Sequence, residues 1–160
     1  MGRAEVVPEA RLKAAFVSKF PQFVEWPRQV LDGRQALDVC VAAPDPFGAD
    51  LAELLAGETA NGRPLALRRI ESAAEVPQCH LLFLPARPEG RHPLLAAAAA
   101  RPILTVGDSP GFLDEGGMVG LRVVNGRVRF EIDEAAARRT GLRISSQLLR
   151  LALAVRGGVR

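Results

Sequence analysis

A chain of 160 residues and 17.1 kDa has the size of one domain built on one hydrophobic core. Its 48% hydrophobic and 24% charged residues exclude a disordered tail, and two cysteines with two histidines are too few soft ligands for a zinc ribbon or finger. The formal net charge of +3 comes almost wholly from arginine, with no basic run longer than Arg68-Arg69 or Arg138-Arg139 and no interleaved aromatics, so no nucleic-acid partner is expected.

At the N-terminus, Met1-Gly2-Arg3-Ala4-Glu5 has no apolar secretion core, and Val6 stands where a myristoylation signal needs Ser or Thr. Met1-Gly2 reads equally as a start placed before a mature exported chain. A first helix is expected from Pro8 to Val24, because Leu12, Phe16, Phe20 and Phe23 recur at helical spacing and form one stripe. Trp26-Pro27 ends it, since proline disfavours helical geometry in the residue before it.

Ala36 to Ala43 reads as a buried strand. Asp45-Pro46 then offers an N-cap and a preset first turn for a helix running to Ala56, where Gly57 stops it. Strands follow at Pro64 to Ile70 and Cys79 to Leu84. A helix capped near His92-Pro93 ends at Ala100, and a fourth strand covers Pro102 to Gly107. The apolar stretch Leu94 to Ala100 meets Arg101-Pro102, far short of the roughly 20 residues a membrane span needs. This order predicts an α/β domain with a largely parallel central sheet flanked by helices.

The C-terminal part differs. Met118 to Val124 and Arg127 to Asp133 flank Asn125-Gly126, a strong hairpin signal, and Val128, Phe130 and Ile132 alternate with Arg127, Arg129 and Glu131. Two closing helices are expected, Glu134 to Thr140 and Ser146 to Arg156. The leucines at 148, 149, 151 and 153 make the last apolar on most sides, so it should be buried.

No catalytic motif emerges. There is no phosphate-binding Gly-rich loop ending in Lys-Ser/Thr, and Ser109 is followed directly by Pro110, which disrupts a nucleophile elbow. His80 and His92 are too far apart for a helix-face pair, and His80 lies inside an apolar strand as a satisfied core histidine. No catalytic, metal or cofactor residues are assigned. In a parallel sheet the carboxyl ends of the strands are the default small-molecule site, here Ala43-Pro44-Asp45, Pro85-Ala86-Arg87 and Gly107-Asp108-Ser109, although these residue types also shape turns.

Two features stay open at this level. Cys40 and Cys79 are buried thiols in a cytosolic protein, or a bridge in an exported one. Bridging requires an offset between their strands, because Cys40 is late in its strand and Cys79 early. A two-residue turn also sets Arg122 opposite Arg129 on the wet side, with Glu131 on the diagonal. Arg122, Arg127 and Arg129 then form either a mixed solvated face or a basic strip for an acidic partner.

Three blocks resemble a known family. They are Ala14 to Phe20 with Phe23 to Pro27; Ile103 to Phe112 with Gly116-Gly117-Met118; and Val128 to Ile132 continuing through Ala136, Arg138, Gly141-Leu142, Ile144-Ser145-Ser146 and Leu148-Leu149. Their order and spacing resemble the YfiR/HmsC family of small periplasmic regulators, over roughly Arg11 to Arg156. The resemblance implies an exported, often dimeric α/β protein. It implies a non-enzymatic repressor that binds the periplasmic domain of an inner-membrane diguanylate cyclase and lowers cyclic-di-GMP output and biofilm formation. Capture of the repressor by an outer-membrane OmpA-like lipoprotein would end the inhibition. Cys40 and Cys79 match the pair that the family joins in a structural disulfide, and the second pair found in some relatives is missing here.

The expected docking surface is the first helix with its exit, through Phe20, Phe23 and Trp26, plus the loop carrying Asp108, Ser109, Pro110 and Phe112, and the arginine strip Arg122, Arg127 and Arg129. The alternative is a periplasmic module that binds a small metabolite at the strand ends and signals to a membrane receptor or kinase. A cytosolic enzyme is the third option, and free thiols would favour it.

Overall fold

The computed structural model describes residues 8–158, so the N-terminal stretch read above for export signals lies outside the described residues. One eight-stranded, mostly parallel sheet organises the chain. Its strands are β2 (Leu37–Ala42), β3 (Thr59–Ala60), β4 (Arg63–Ile70), β5 (Leu81–Leu84), β6 (Leu104–Gly107), β7 (Val119–Val124), β8 (Arg127–Asp133) and β10 (Ala154–Arg156), in the spatial order β10-β8-β7-β6-β5-β2-β4-β3. Strands β4, β2, β5, β6 and β7 run parallel, with β2 between β4 and β5. This doubly wound core follows from short apolar runs separated by turns, as the sequence predicts.

Burial on both faces explains the composition of β2, all six residues of which are buried. Val39, Val41, Leu81, Phe83, Leu104 and Val106 pack on one face with α1 (Glu9–Lys19) and α3 (Asp50–Leu55). Cys40, Ala42, Leu82 and Leu84 pack on the other with Ile70, Val76, Phe112 and α4 (Leu95–Ala98). The hairpin β7–β8 forms in the predicted register, Arg122 opposite Arg129, around Asn125 and Gly126 at φ 52° and 75°. Both turn residues are left-handed, which suits Asn-Gly and matches the twist of the strands.

Several boundaries differ from the sequence reading. The first helix ends at Lys19, and Phe20–Phe23 is a 3-10 turn leading into β1 (Val24–Glu25), because Pro21 has no N–H to continue the helical ladder. A short α2 (Arg28–Leu31) follows. Asp45 caps no helix. Its Oδ1 accepts the Phe47 N–H at 2.7 Å and its Oδ2 pairs with Arg69 at 2.6 Å, closing a turn, while α3 starts five residues later. The helix after the hairpin, α5 (Glu134–Arg139), is capped by Asp133, whose carboxylate accepts the Ala136 N–H at 3.0 Å.

The last helix is the largest correction. α6 (Ser146–Leu151) is capped by Ser145 but lasts only six residues, and the chain then extends as β10, parallel to β8 at the edge of the sheet. Leu148 is buried, yet Leu151, Leu153 and Val155 are exposed. Before α6, β9 (Arg143–Ile144) pairs antiparallel with β1 in a separate two-stranded ladder. Among the described residues no helix is long and apolar enough to cross a membrane.

Candidate functional site

Phenylalanines at spacing four on α1 and the alternating apolar face of β8 meet at one place. Phe16, Phe20 and Phe130 form an aromatic cluster with centroid separations of 6.3, 5.8 and 5.4 Å, the two contacts to Phe130 being edge-to-face. Above it opens a groove of about 320 Å³ lined by Ala15, Phe16, Phe20, Phe23, Leu148 and Leu151, with Lys19 at its rim and Phe130 in its wall. Phe20 is 1% exposed and forms part of its lining, while Leu151 stands 62% exposed at its side. An apolar concavity open to water is the surface chemistry of a protein contact.

A second cavity, of about 600 Å³, lies at the strand ends, beside Asp108 to Gly111, Lys13, Arg122, Glu131 and Arg156. Its charges neutralise one another. Lys13 Nζ donates to Asp108 at 2.9 Å and to Glu9 at 2.8 Å, Arg122 lies 3.7 Å from Glu131, and Arg156 pairs with Asp114 at 2.7 Å. Burial alone would lower the Lys13 pKa, but its hydrogen bonds and charge contacts with Glu9 and Asp108 outweigh that and raise it above the ordinary lysine value. Asp108 also accepts the Ala86 N–H at 2.8 Å, so this carboxylate clamps α1 to the loop after β5.

Two residues expected at a docking surface turn inward. Trp26 is buried, with Nε1 donating to the His80 carbonyl at 3.0 Å. Phe112 is buried between two glycines. A Cβ at Gly107 would meet its ring at 2.5 Å, and one at Gly117 would come closer still. That spacing, Gly107 and Gly117 around Phe112, was the available signal for a packed plug in place of an exposed contact. Ser109 is half-buried and within 3.4 Å of Glu115, Pro110 is exposed, and Phe23 is half-buried in the groove. Arg122, Arg127 and Arg129 are exposed. Only Arg122 has an acidic partner among the described residues.

Sequence reasoning missed Phe130, Leu148 and Leu151 as groove residues. Phe130 carried a signal in its alternation, whereas Leu148 and Leu151 sat in a run read as wholly buried.

The opposite end of the sheet is saturated. His80 is buried, its Nδ1 accepting the Asp38 N–H at 2.9 Å and its Nε2 lying 3.4 Å from the Val30 carbonyl. Burial first, and the Arg34 charge next, lower its pKa, so it is held neutral as a core histidine. His92, which lies at the other end of the strands beside Ala43, is likewise lowered by burial and by Arg87. Asp38 is buried between Arg34 and Arg68. Cys40 and Cys79 form a disulfide with Cα atoms 5.8 Å apart. The required offset arises because Cys79 lies outside β5, at the end of the 3-10 turn Ala73–Gln78, and sits in the same apolar cluster as Cys40 and Leu82. Among the described residues no group of His, Cys, Asp and Glu could hold a metal ion.

A regulatory, YfiR/HmsC-like family is the class that the sequence matches. The model of that family matches residues 10–153, and the chain belongs to it. No curated protein matches the chain. Among solved structures, a conserved domain protein from Vibrio cholerae O1 biovar El Tor is similar at 12% identity with a TM-score of 0.48, over 94% of this chain and 61% of that one. The chain therefore spans less than two thirds of that neighbour's length.

Proposed function

We propose that the protein is a periplasmic repressor that binds the periplasmic domain of an inner-membrane diguanylate cyclase and lowers cyclic-di-GMP signalling and biofilm formation. Membership of a family whose members regulate diguanylate cyclase signalling supports the class of activity. The observation that carries the reading for this chain is the open apolar groove between α1, the Phe20–Phe23 turn, β8 and α6. It offers a rigid aromatic floor for an apolar anchor of the partner. The disulfide suits an oxidising compartment. An outer-membrane OmpA-like lipoprotein as the releasing partner, and a homodimer as the working form, complete the proposal.

Repression needs only differential binding. The protein must hold the inactive arrangement of the cyclase more tightly than the active one, and losing about 2.7 kcal/mol of that preference shifts the ratio roughly a hundredfold. Deleting the protein should raise cellular cyclic-di-GMP, and reintroducing it with Phe16→Asp should fail to restore the low level. An unchanged level on deletion would count against the reading.

A solute-sensing role is the alternative, and the cavity beside Asp108 favours it as a site of suitable size. Its charged groups are already mutually paired, which leaves little to recognise a ligand. A thermal shift with a metabolite panel discriminates the two readings, since only a ligand that binds the folded state raises the melting temperature.

A further inference from the structure

The four large hydrophobic residues most exposed among the described residues are Val123, Leu151, Leu153 and Val155, and all lie at the β7–β8–β10 end of the molecule. The run Leu151-Ala152-Leu153-Ala154-Val155 is wholly apolar, yet every residue of β10 is exposed. Its main chain is open as well. The Asp133 N–H bonds to the Met118 carbonyl, so alternation turns Arg127, Arg129 and Glu131 toward β7, and Val128, Phe130 and Ile132 toward β10. With Ala154 opposite Glu131 and Arg156 opposite Asp133, the main chain of Ala154 and Arg156 engages β8, and the N–H and C=O of Val155 face outward.

The surroundings decide what can cover this edge. Arg127, Arg129 and Arg150 are exposed and have no acidic partner among the described residues, while of the nearby acids Asp114 is engaged by Arg156, Glu131 by Arg122 and Glu134 by Arg138, and Asp133 caps α5. A second copy paired across a two-fold axis at Val155 would bring two sets of these arginines together, which opposes self-association through this edge and leaves a homodimer to another face. A lipid surface would leave the Val155 N–H and C=O without partners, at a cost of several kcal/mol per group. An extended protein segment answers all three features.

We infer that β10 receives an added strand from the protein partner, an extended segment that alternates apolar and acidic residues. This rests on the repressor reading for the partner's existence, and on the edge itself for its chemistry. Val155 is paired with Ile132 and shares its face. The apolar side chains of the added strand extend that face. Its acidic side chains fall on the opposite face, the one carrying Arg156 with Arg127 and Arg129 one strand behind.

The test uses the full chain with two short acetylated peptides that alternate valine or threonine with glutamate, or with lysine. The glutamate peptide should bind at least about tenfold more tightly and slow hydrogen exchange of the Val155 amide. Val155→Pro removes only the outward N–H and should weaken binding at least about tenfold with an unchanged circular dichroism spectrum. Arg129→Glu with Arg150→Glu, both at the surface, should reverse the peptide preference, which keeps the test valid if the proline variant fails to fold. Equal binding of both peptides, no binding of the glutamate peptide at about 1 mM, or an unprotected Val155 amide overturns the inference. So does a homodimer that Val155→Pro dissolves, or adsorption to anionic vesicles through the same edge. If the peptide arms fail while the protein still lowers cyclic-di-GMP, only this inference falls. If they succeed while deletion leaves cyclic-di-GMP unchanged, only the repressor reading falls.

Discussion

The two ends of the sheet are built on opposite principles. Near the start of β2 and β5, Asp38, His80 and Trp26 are buried and hydrogen-bonded, and the Cys40–Cys79 bridge ties the same region together. At the β8–β10 edge, leucines stand in water and Arg127, Arg129 and Arg150 lack acidic partners among the described residues. An unfolded chain gains by hiding apolar surface, so an edge that leaves it exposed is organised around something outside itself. The first end is closed by its own contacts, and the second leaves apolar surface uncovered.

The largest effect expected from this contrast lies at the bridge. Replacing Cys40 and Cys79 by serine reopens a loop of 39 residues in the unfolded ensemble, which by chain entropy lowers stability by about 4 kcal/mol. Urea unfolding would measure it, and a loss below about 1 kcal/mol would place the stability elsewhere. Next comes Asp38→Ala. It strips two arginines of their shared carboxylate, but both guanidinium groups are partly hydrated, so the expected loss is about 1–3 kcal/mol rather than the full penalty of a buried charge.

Acid should probe the buried titratable groups more gently. Burial holds His80 and His92 below the ordinary histidine pKa, so in the fold they resist protons that the unfolded chain accepts below about pH 6.5. Their neutral forms therefore favour the fold above that pH, and stability should decline as the pH falls below it. Lys13 has the opposite sign. Its raised pKa contributes throughout the neutral range and is lost only as the pH rises past about 10.4. Urea midpoints that stay constant from pH 7 to about pH 5, or imidazole NMR signals that titrate at the ordinary position, would show that the two histidines are not sealed from water.

The sealed end was also the more legible in sequence. Strands β2, β4, β5 and β6 announce themselves as apolar runs between turn residues, and Asn125-Gly126 fixes the hairpin register to the residue. The disulfide came through family resemblance rather than spacing, since the offset that lets Cys79 reach Cys40 is made by a 3-10 turn that carries no periodic signal. Trp26 and Phe112 were expected outside because an aromatic at a helix exit or in a glycine-rich loop reads the same whether it packs inward or outward. Only the His80 carbonyl, and the space left by Gly107 and Gly117, decide it. The run from Leu148 to Val155 failed for a related reason. Apolar residues on every side fit a buried helix and an exposed strand equally, and local pattern cannot choose between them.

The smallest stability effect is the one that best sharpens the contrast. Leu151→Ser with Leu153→Ser removes large side chains, a change that in a core would lower stability by several kcal/mol. Here both residues are already largely in water, at 62% and 41% exposure, so unfolding should shift by no more than about 0.5 kcal/mol per site. The same variant strips Leu151 from the groove lining and Leu153 from the apolar run that leads into β10, and should abolish repression of cyclic-di-GMP in cells while the purified protein melts at nearly the wild-type temperature. A destabilisation of about 2 kcal/mol or more would mean that these leucines belong to the core, and the division between a stabilising end and a recognising edge would collapse. Retained stability with lost repression would locate the function of the molecule in the surface its own fold leaves uncovered.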